Sequence, residues 1–310
     1  MRSGQGRPPG SVPATGLRLH AGDIWQGGWL DEMTEERVGT ATIDEALAGM
    51  DDIIARARAE GDRRGYFAVL YRKVTAKVKE GVENGFFDDA ERMVRLDCLF
   101  ADRYLDAVAA ANAGGTPTRS WKLTFDLAQR WRPLILQHLL VGINAHINLD
   151  LGIAAARCCP ADELPALRHD YDRINAILAA MIAAVQTDLQ RVSPWLGWLD
   201  RFGARTSSEL IRFSIVTARA GAWSFATDLA ATEASGRDAA IAERDRRIAE
   251  IGRMVAHPGP WMSAGLLVVR LRERNGVRRN LDLLLGAREP SLAEAAARLG
   301  APGSAPDEHS

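Results

Sequence analysis

The sequence has few cysteines. Cysteine occurs three times in 310 residues, twice as the adjacent pair Cys158 and Cys159, and no C-x-x-C pair is present. Three cysteines cannot form a disulfide framework, so the composition favours a reducing, cytoplasmic environment.

An excess of charge and long apolar segments are also missing. The chain has 39 basic and 40 acidic residues, a net charge of -1, which argues against the basic surface that nucleic-acid binding requires. No uninterrupted apolar run approaches the roughly 20 residues of a membrane-spanning helix. The first residues lack the apolar core of a secretion signal. We therefore expect neither a nucleic-acid partner nor a transmembrane segment.

Three common catalytic and nucleotide-binding motifs are absent as well. The sequence contains no G-x-S-x-G, no phosphate-binding loop and no G-x-G-x-x-G. Serine hydrolase and nucleotide-binding functions therefore lack their usual sequence support.

What the sequence does contain is helical periodicity. Thr42 and Glu45 form a capping box at the start of a helix that should end at Gly61. In the next segment, apolar side chains recur with the i, i+3, i+4, i+7 spacing of an amphipathic helix. The only strand-like run is 265–273. These patterns predict an all-α fold, a single multi-helix bundle-like domain with disordered termini.

Composition also suggests boundaries along the chain. Residues rich in Gly, Pro and Ser predict a disordered leader at 1–20 and a disordered tail at 301–310. Between them we expect a helical body at 21–257 and a C-terminal helical extension at 258–300. Within the body, Pro133 should kink or split the helical region that starts near Ser120.

The stretch GINAHINLDLG, residues 142–152, places polar side chains in an otherwise apolar helix. His146 and Asp150 are one α-helical turn apart, and His138 lies two turns before His146 on the same side. Imidazole and carboxylate together are ligands preferred by zinc and iron. The spacing therefore predicts that His146 and Asp150 bind a divalent metal ion, with His138 as a further ligand or a catalytic base.

A third metal ligand has to come from another helix. Asp97 falls on the apolar face of the predicted helix that begins near Asp88, and a carboxylate there is costly unless it is paired or metal-bound. Asp97 is therefore the predicted partner of His146 and Asp150. Tyr71 and Thr75, on the apolar stripe of the second helix, are predicted to orient a substrate.

Each of these side chains also has a structural interpretation. His146 and Asp150 could belong to a buried polar network without metal, or act as a general base and the group that orients it. Asp97 could form a buried ion pair with an arginine. Three asparagines could line a substrate site or could link helices: Asn144, Asn148 and Asn175.

Four sequence blocks carry a resemblance to a known family: YFAVLYRKVT at 66–75, RLDCLFADRYLDA at 95–107, GINAHINLDLG at 142–152, and DYDRINAIL at 170–178. Together they resemble an uncharacterised bacterial family, the domain of unknown function numbered 5995. The family implies no activity, but Tyr71, Thr75, Asp97, His146, Asp150 and Asn175 lie in its recognisable blocks. In addition, AHINLD is similar to the helix-borne His-x-x-x-Asp of the zinc-dependent phospholipase C and nuclease superfamily, although residues 151–157 lack the further His of that group.

Three functions are compatible with these patterns. The first is a metal-dependent hydrolase of an ester or phosphoester in a small or lipid-like substrate, with a zinc or iron ion that activates water. The second is a metal-free helical enzyme or binding protein for an apolar small molecule. The third is a structural or partner-binding helical protein.

Overall fold

The computed structural model describes residues 39–192, 208–273, 276–286 and 291–299, and the regular elements in these ranges are helical. The all-α prediction is confirmed. The α-helices are α1 (Ile43–Glu60), α2 (Arg64–Glu83), α3 (Ala90–Asn112), α4 (Arg119–Ala128), α5 (Ile135–Ala145), α6 (Leu151–Cys158), α7 (Leu164–Val192), α8 (Ser208–Ala231), α9 (Ala234–Ala256), α10 (Pro260–Arg272), α11 (Val277–Leu285) and α12 (Leu292–Leu299). A π-helical segment, His146–Asp150, joins α5 to α6. The predicted leader and tail lie outside the described residues.

The boundaries of α1 follow the capping signals in the sequence. The Thr42 side chain accepts a hydrogen bond from the Glu45 backbone N–H at 3.2 Å. The Glu45 carboxylate accepts from the N–H of Ala41 at 2.7 Å, one residue before the position expected in a capping box. Gly61 ends the helix with φ of 73°, in the left-handed region that glycine adopts without steric cost.

Two other local predictions have clear outcomes. The helical region around Pro133 is split, because α4 ends at Ala128 and α5 begins at Ile135. The strand-like run is helical instead, since residues 265–272 lie within α10.

One helical stretch among the described residues, Ile135–Cys158, is long and apolar enough to cross a membrane by length and composition, with a mean hydropathy of 1.4 in its apolar window. It is not an uninterrupted apolar run, because polar residues of the 142–152 motif divide it. In the structure 78% of that window is buried inside the protein. This burial fits the central helix of a large core.

Two hydrophobic clusters surround this central stretch. The first is built mainly from α1, α2, α3, α4 and α5, with Phe67, Tyr104 and Trp121 at its centre. The second is built mainly from α3, α6, α7 and α8, with Leu151 and Tyr171 among its fully buried side chains. The junction of these two clusters is where the candidate site lies.

Candidate functional site

A cavity of about 120 Å³ lies where the two hydrophobic clusters meet. Side chains from α2, α3, α5, the π-helical segment, α6, α7 and α8 line it. Most of the lining is apolar, from Phe67, Leu70, Val74, Val78, Met93, Leu96, Phe100, Leu136, Leu139, Leu140, Ile143, Ile147, Leu151, Ile174, Leu178, Met181 and Ile215. The polar lining residues are Tyr71, Asp97, His146 and Arg219. An apolar chamber with a few polar groups is typical of small-molecule sites.

The glycines of the 142–152 motif allow neighbouring helices to come close. A Cβ at Gly142 would lie 2.6 Å from the Phe67 ring, and a Cβ at Gly152 would lie 2.7 Å from Phe225 and 2.9 Å from the Ala222 carbonyl oxygen. Both positions therefore need glycine for helix packing. At Gly142 the space is taken by α2 and its phenylalanine ring.

The π-helical segment coincides with His146–Asp150, the proposed ligand pair. The N–H of Leu151 bonds to the carbonyl oxygen of His146, five residues back, so the turn contains one residue more than an α-helical turn. His146 and Asp150 therefore do not have the relative orientation that an α-helical turn would give them. The His146 Nδ1 and the nearest Asp150 oxygen are 3.9 Å apart, too far for a hydrogen bond.

Aromatic rings surround the His146 side chain. Its ring stacks on Phe100 with centroids 3.6 Å apart and an angle of 10°, and it meets the Tyr71 ring edge-on at 4.0 Å. Both ring nitrogens are buried, and no described residue forms a hydrogen bond with either of them. Burial lowers the pKa of His146, with Asp150 acting in the opposite direction, so the neutral imidazole is favoured. A neutral ring offers one donor and one acceptor to whatever occupies the cavity.

Asp97 lines the same cavity and is 7% exposed. It forms no ion pair with any described residue, and its Oδ2 has no hydrogen-bond partner. Burial raises the pKa of this carboxyl to about 7, and no neighbouring charge contributes to the shift. The buried ion pair with an arginine, which was the structural alternative, is not formed within the described part of the chain.

Tyr71 and Thr75 lie beside these groups on α2. The Tyr71 hydroxyl and the Thr75 hydroxyl are both buried, and neither forms a hydrogen bond with a residue in the described part of the chain. Burial, followed by the nearby charge of Asp97, raises the pKa of Tyr71 well above its ordinary value, so the phenol stays protonated. Tyr71 lines the cavity, whereas Thr75 is fully buried one turn further along the helix.

Asp150 interacts with a different set of residues. Its carboxylate is fully buried and accepts hydrogen bonds from Arg103 Nε at 3.2 Å and from the Trp121 indole N–H at 2.6 Å. Arg103 lies on α3 and Trp121 lies on α4. Asp150 therefore has the geometry of a buried ion pair that joins three helices, and it does not line the cavity.

His138 is separated from the cavity. It lines a second, much smaller space of about 10 Å³ together with Arg63 and Trp121, and its Nε2 forms no hydrogen bond with the residues that the structure describes. Burial, with the nearby charges of Arg63 and Arg270, lowers the pKa of His138 to about 3. Phe67 packs against Gly142 between the two histidines, so His138 and His146 do not share a site.

The predicted asparagines bond to other residues. Asn144 donates to the Ile248 carbonyl oxygen of α9 at 2.9 Å and accepts from Asn148 at 3.1 Å. Asn144 therefore links the central helix to α9, and Asn148 bonds to Asn144 within the central helix. Asn175 accepts a hydrogen bond from Arg219 Nε at 2.6 Å. Asn175 therefore contacts Arg219, which lines the cavity, and is not itself among the lining residues.

A group that could hold a metal ion lies elsewhere. Among the described residues, Asp88, His169 and Asp170 form a group of possible metal ligands. Their ligand atoms lie within 4.8 Å of one another. His146, Asp150 and Asp97 do not form such a group. The three clustered residues already have partners, since Asp88 pairs with His169 and Arg173, and Asp170 accepts from the backbone N–H groups of residues 88 and 89.

Comparison with known proteins identifies a family. A family model described as Family of unknown function (DUF5995) matches residues 43–258. The chain belongs to this family. The match confirms the resemblance carried by the four sequence blocks and extends it on both sides. No curated protein and no solved structure matches the chain, and the comparisons give no support for a relation to the phospholipase C and nuclease superfamily.

Sequence reasoning missed Arg219, which lies within the DUF5995 match and lines the cavity. The signal was present, because Arg219 follows Ile215 and precedes Ala222 at helical spacing in an apolar segment. The same argument that selected Asp97, a charge on an apolar helix face, selects Arg219 as well.

Proposed function

We propose that this DUF5995 protein binds a small, mostly apolar molecule in the cavity at the junction of its two hydrophobic clusters. The observation that carries the proposal is a set of buried polar atoms around an apolar cavity that form no hydrogen bond with the described residues. They are the ring nitrogens of His146, the hydroxyl of Tyr71 and the Oδ2 atom of Asp97. Buried polar atoms are nearly always hydrogen-bonded in proteins, and those that are not often mark binding or catalytic sites.

The size of the cavity limits the ligand. An engineered apolar cavity of about 150 Å³ binds benzene, so a cavity of similar volume suits an apolar body of about six to eight non-hydrogen atoms. The ligand should also carry a neutral hydrogen-bonding group, such as a hydroxyl or a carbonyl. That group would meet neutral His146, protonated Tyr71 and Asp97, which is partly protonated near neutral pH.

The metal-dependent hydrolase is a weaker alternative on this geometry. Asp150, one of its three proposed ligands, is engaged by Arg103 and Trp121, and the Asp88, His169 and Asp170 group has its own partners. Nothing in the site singles out a bond to be broken, so the proposal is limited to binding.

Isothermal titration calorimetry tests the proposal with two ligands of equal size. Benzyl alcohol and ethylbenzene have the same number of non-hydrogen atoms and differ by a hydroxyl group. For ligands this small we expect dissociation constants on the order of 0.1 to 1 mM. In the His146→Phe variant the stack on Phe100 is kept and the ring nitrogens are lost, so the preference for the alcohol relative to the hydrocarbon should fall about tenfold.

A matched pair of variants locates the binding. Val74 lines the cavity, and Val74→Phe should fill part of it and abolish binding of both ligands. Val216 is 43% exposed, so Val216→Phe should bind both ligands as the wild type does. Absence of binding to the wild type, or unchanged binding to Val74→Phe, would overturn the proposal.

A further inference from the structure

Arg219 is a buried cation that forms no ion pair with the described residues, and the carboxylate of Asp172 acts on it only from a distance. Its side chain is 3% exposed, and no carboxylate of the described residues forms an ion pair with it. Its two hydrogen bonds go to neutral oxygens, from Nε to Asn175 at 2.6 Å and from Nη2 to the Tyr171 carbonyl at 2.5 Å. Burying an unpaired charge is strongly unfavourable, and buried guanidinium groups are normally paired with an anion.

The surroundings hold this guanidinium in one orientation. The Arg219 Cζ lies over the Tyr171 ring, 4.2 Å from the ring centroid. The Tyr171 hydroxyl donates to the Arg219 carbonyl oxygen at 2.8 Å. Together with Asn175, these contacts fix the direction of a group that lines the cavity. The third nitrogen, Nη1, makes no hydrogen bond within the described part of the chain, so it is available to a ligand.

Arg219 lines the cavity from α8, whereas Tyr71, Asp97 and His146 line it from α2, α3 and the π-helical segment. Burial lowers the pKa of Arg219, and the charged residues that modify it further are those of α7. Burial raises the pKa of Asp97 to about 7, so this carboxyl is partly protonated near neutral pH and repels an anion in the cavity less than a fully ionised carboxylate would.

From this arrangement we infer that the ligand carries, besides its neutral hydrogen-bonding group, one carboxylate group that pairs with Arg219. This inference rests on the proposed function, because it assigns the chemical class of the molecule bound in the same cavity. The remaining guanidinium nitrogen, Nη1, can donate charge-assisted hydrogen bonds to a carboxylate, and such bonds supply both affinity and orientation. The apolar body then lies among the Leu, Ile, Met and Phe side chains of the chamber.

Benzoate and benzamide test the inference, since they have the same size and differ in charge. At neutral pH the wild type should bind benzoate about tenfold or more tightly than benzamide, as expected for a hydrogen-bonded charge pair. Arg219→Met removes the cation, and the ratio of the two affinities should fall to about one. Arg246→Met, which changes an exposed arginine of α9, should keep the wild-type ratio.

A second variant covers the case in which Arg219→Met does not fold. Asn175→Asp places a carboxylate at the position to which Arg219 Nε already donates. This carboxylate of the protein then pairs with Arg219 in place of the ligand's carboxylate. The benzoate preference should again be lost, and benzamide binding to the same variant reports whether its cavity is intact. Equal binding of benzoate and benzamide to the wild type, with normal binding of benzyl alcohol, would overturn the inference and leave the proposed function standing. Failure of all the ligands to bind would overturn both.

Discussion

Asp97 gives the sharpest quantitative prediction, through the pH dependence of stability. Burial raises its pKa from 3.8 to about 7, so the folded state keeps a proton that the unfolded state releases near pH 4. Because the pKa of Asp97 is raised in the folded state, neutral Asp97 leaves the free energy of unfolding at its full value below pH 4. This free energy falls as the pH rises from 4 through 7, because the unfolded chain then releases the proton more readily than the folded chain. The shift corresponds to about 4 kcal/mol when the carboxyl is ionised in both states.

The Asp97→Asn variant cannot ionise at this position and isolates the effect. The difference in unfolding free energy between variant and wild type should change by about 3 kcal/mol between pH 5 and pH 8, in favour of the variant at pH 8. Urea unfolding of both proteins at several pH values measures this difference, and the other titrating groups largely cancel. Asp52→Asn, at an exposed residue of α1, is the control and should show no such trend. A difference that stays constant from pH 5 to pH 8 would refute the assignment of Asp97 as a buried, unpaired carboxyl.

Two further predictions concern stability. Gly142→Ala should destabilise the fold by about 1 to 3 kcal/mol, because its Cβ would press on Phe67. Gly265→Ala, at an open position of α10, is the control and should be neutral or stabilising. Thermal unfolding measures both variants, and equal effects would contradict the close packing of Gly142 on Phe67. Asp150→Ala should cost about 3 to 5 kcal/mol, since it leaves the Arg103 guanidinium without its buried partner. Asp126→Ala removes an exposed pair and should have little effect, so similar losses in urea unfolding would contradict a buried role for Asp150.

Local sequence signals were sufficient for much of the fold. The Thr42 cap, Gly61 and Pro133 marked helix ends correctly, because each acts through its own backbone geometry or hydrogen bonds. The stripe on α2 placed Phe67 and Tyr71 in the core for the same kind of reason, since helical spacing decides which side chains share a face.

The site was predictable only in part. Asp97, His146 and Tyr71 were selected as polar residues on apolar faces, and the structure brings all three to one cavity. The proposed pairing of His146 with Asp150 assumed α-helical phase, which the π-helical segment changes. Arg103 and Trp121, which take up the Asp150 carboxylate, lie 47 and 29 residues away, and nothing in the spacing of the motif indicates them.

The sequence by itself determined that this chain is helical, where many of its helices begin and end, which DUF5995 blocks it carries, and which charged side chains lie on apolar faces. Those properties depend on neighbours within a few residues along the chain. Only the tertiary structure decided that Asp150 is satisfied by other helices while Asp97, His146 and Arg219 face a shared cavity. Partners of a buried charge come from helices that are distant in sequence, and packing alone brings them together.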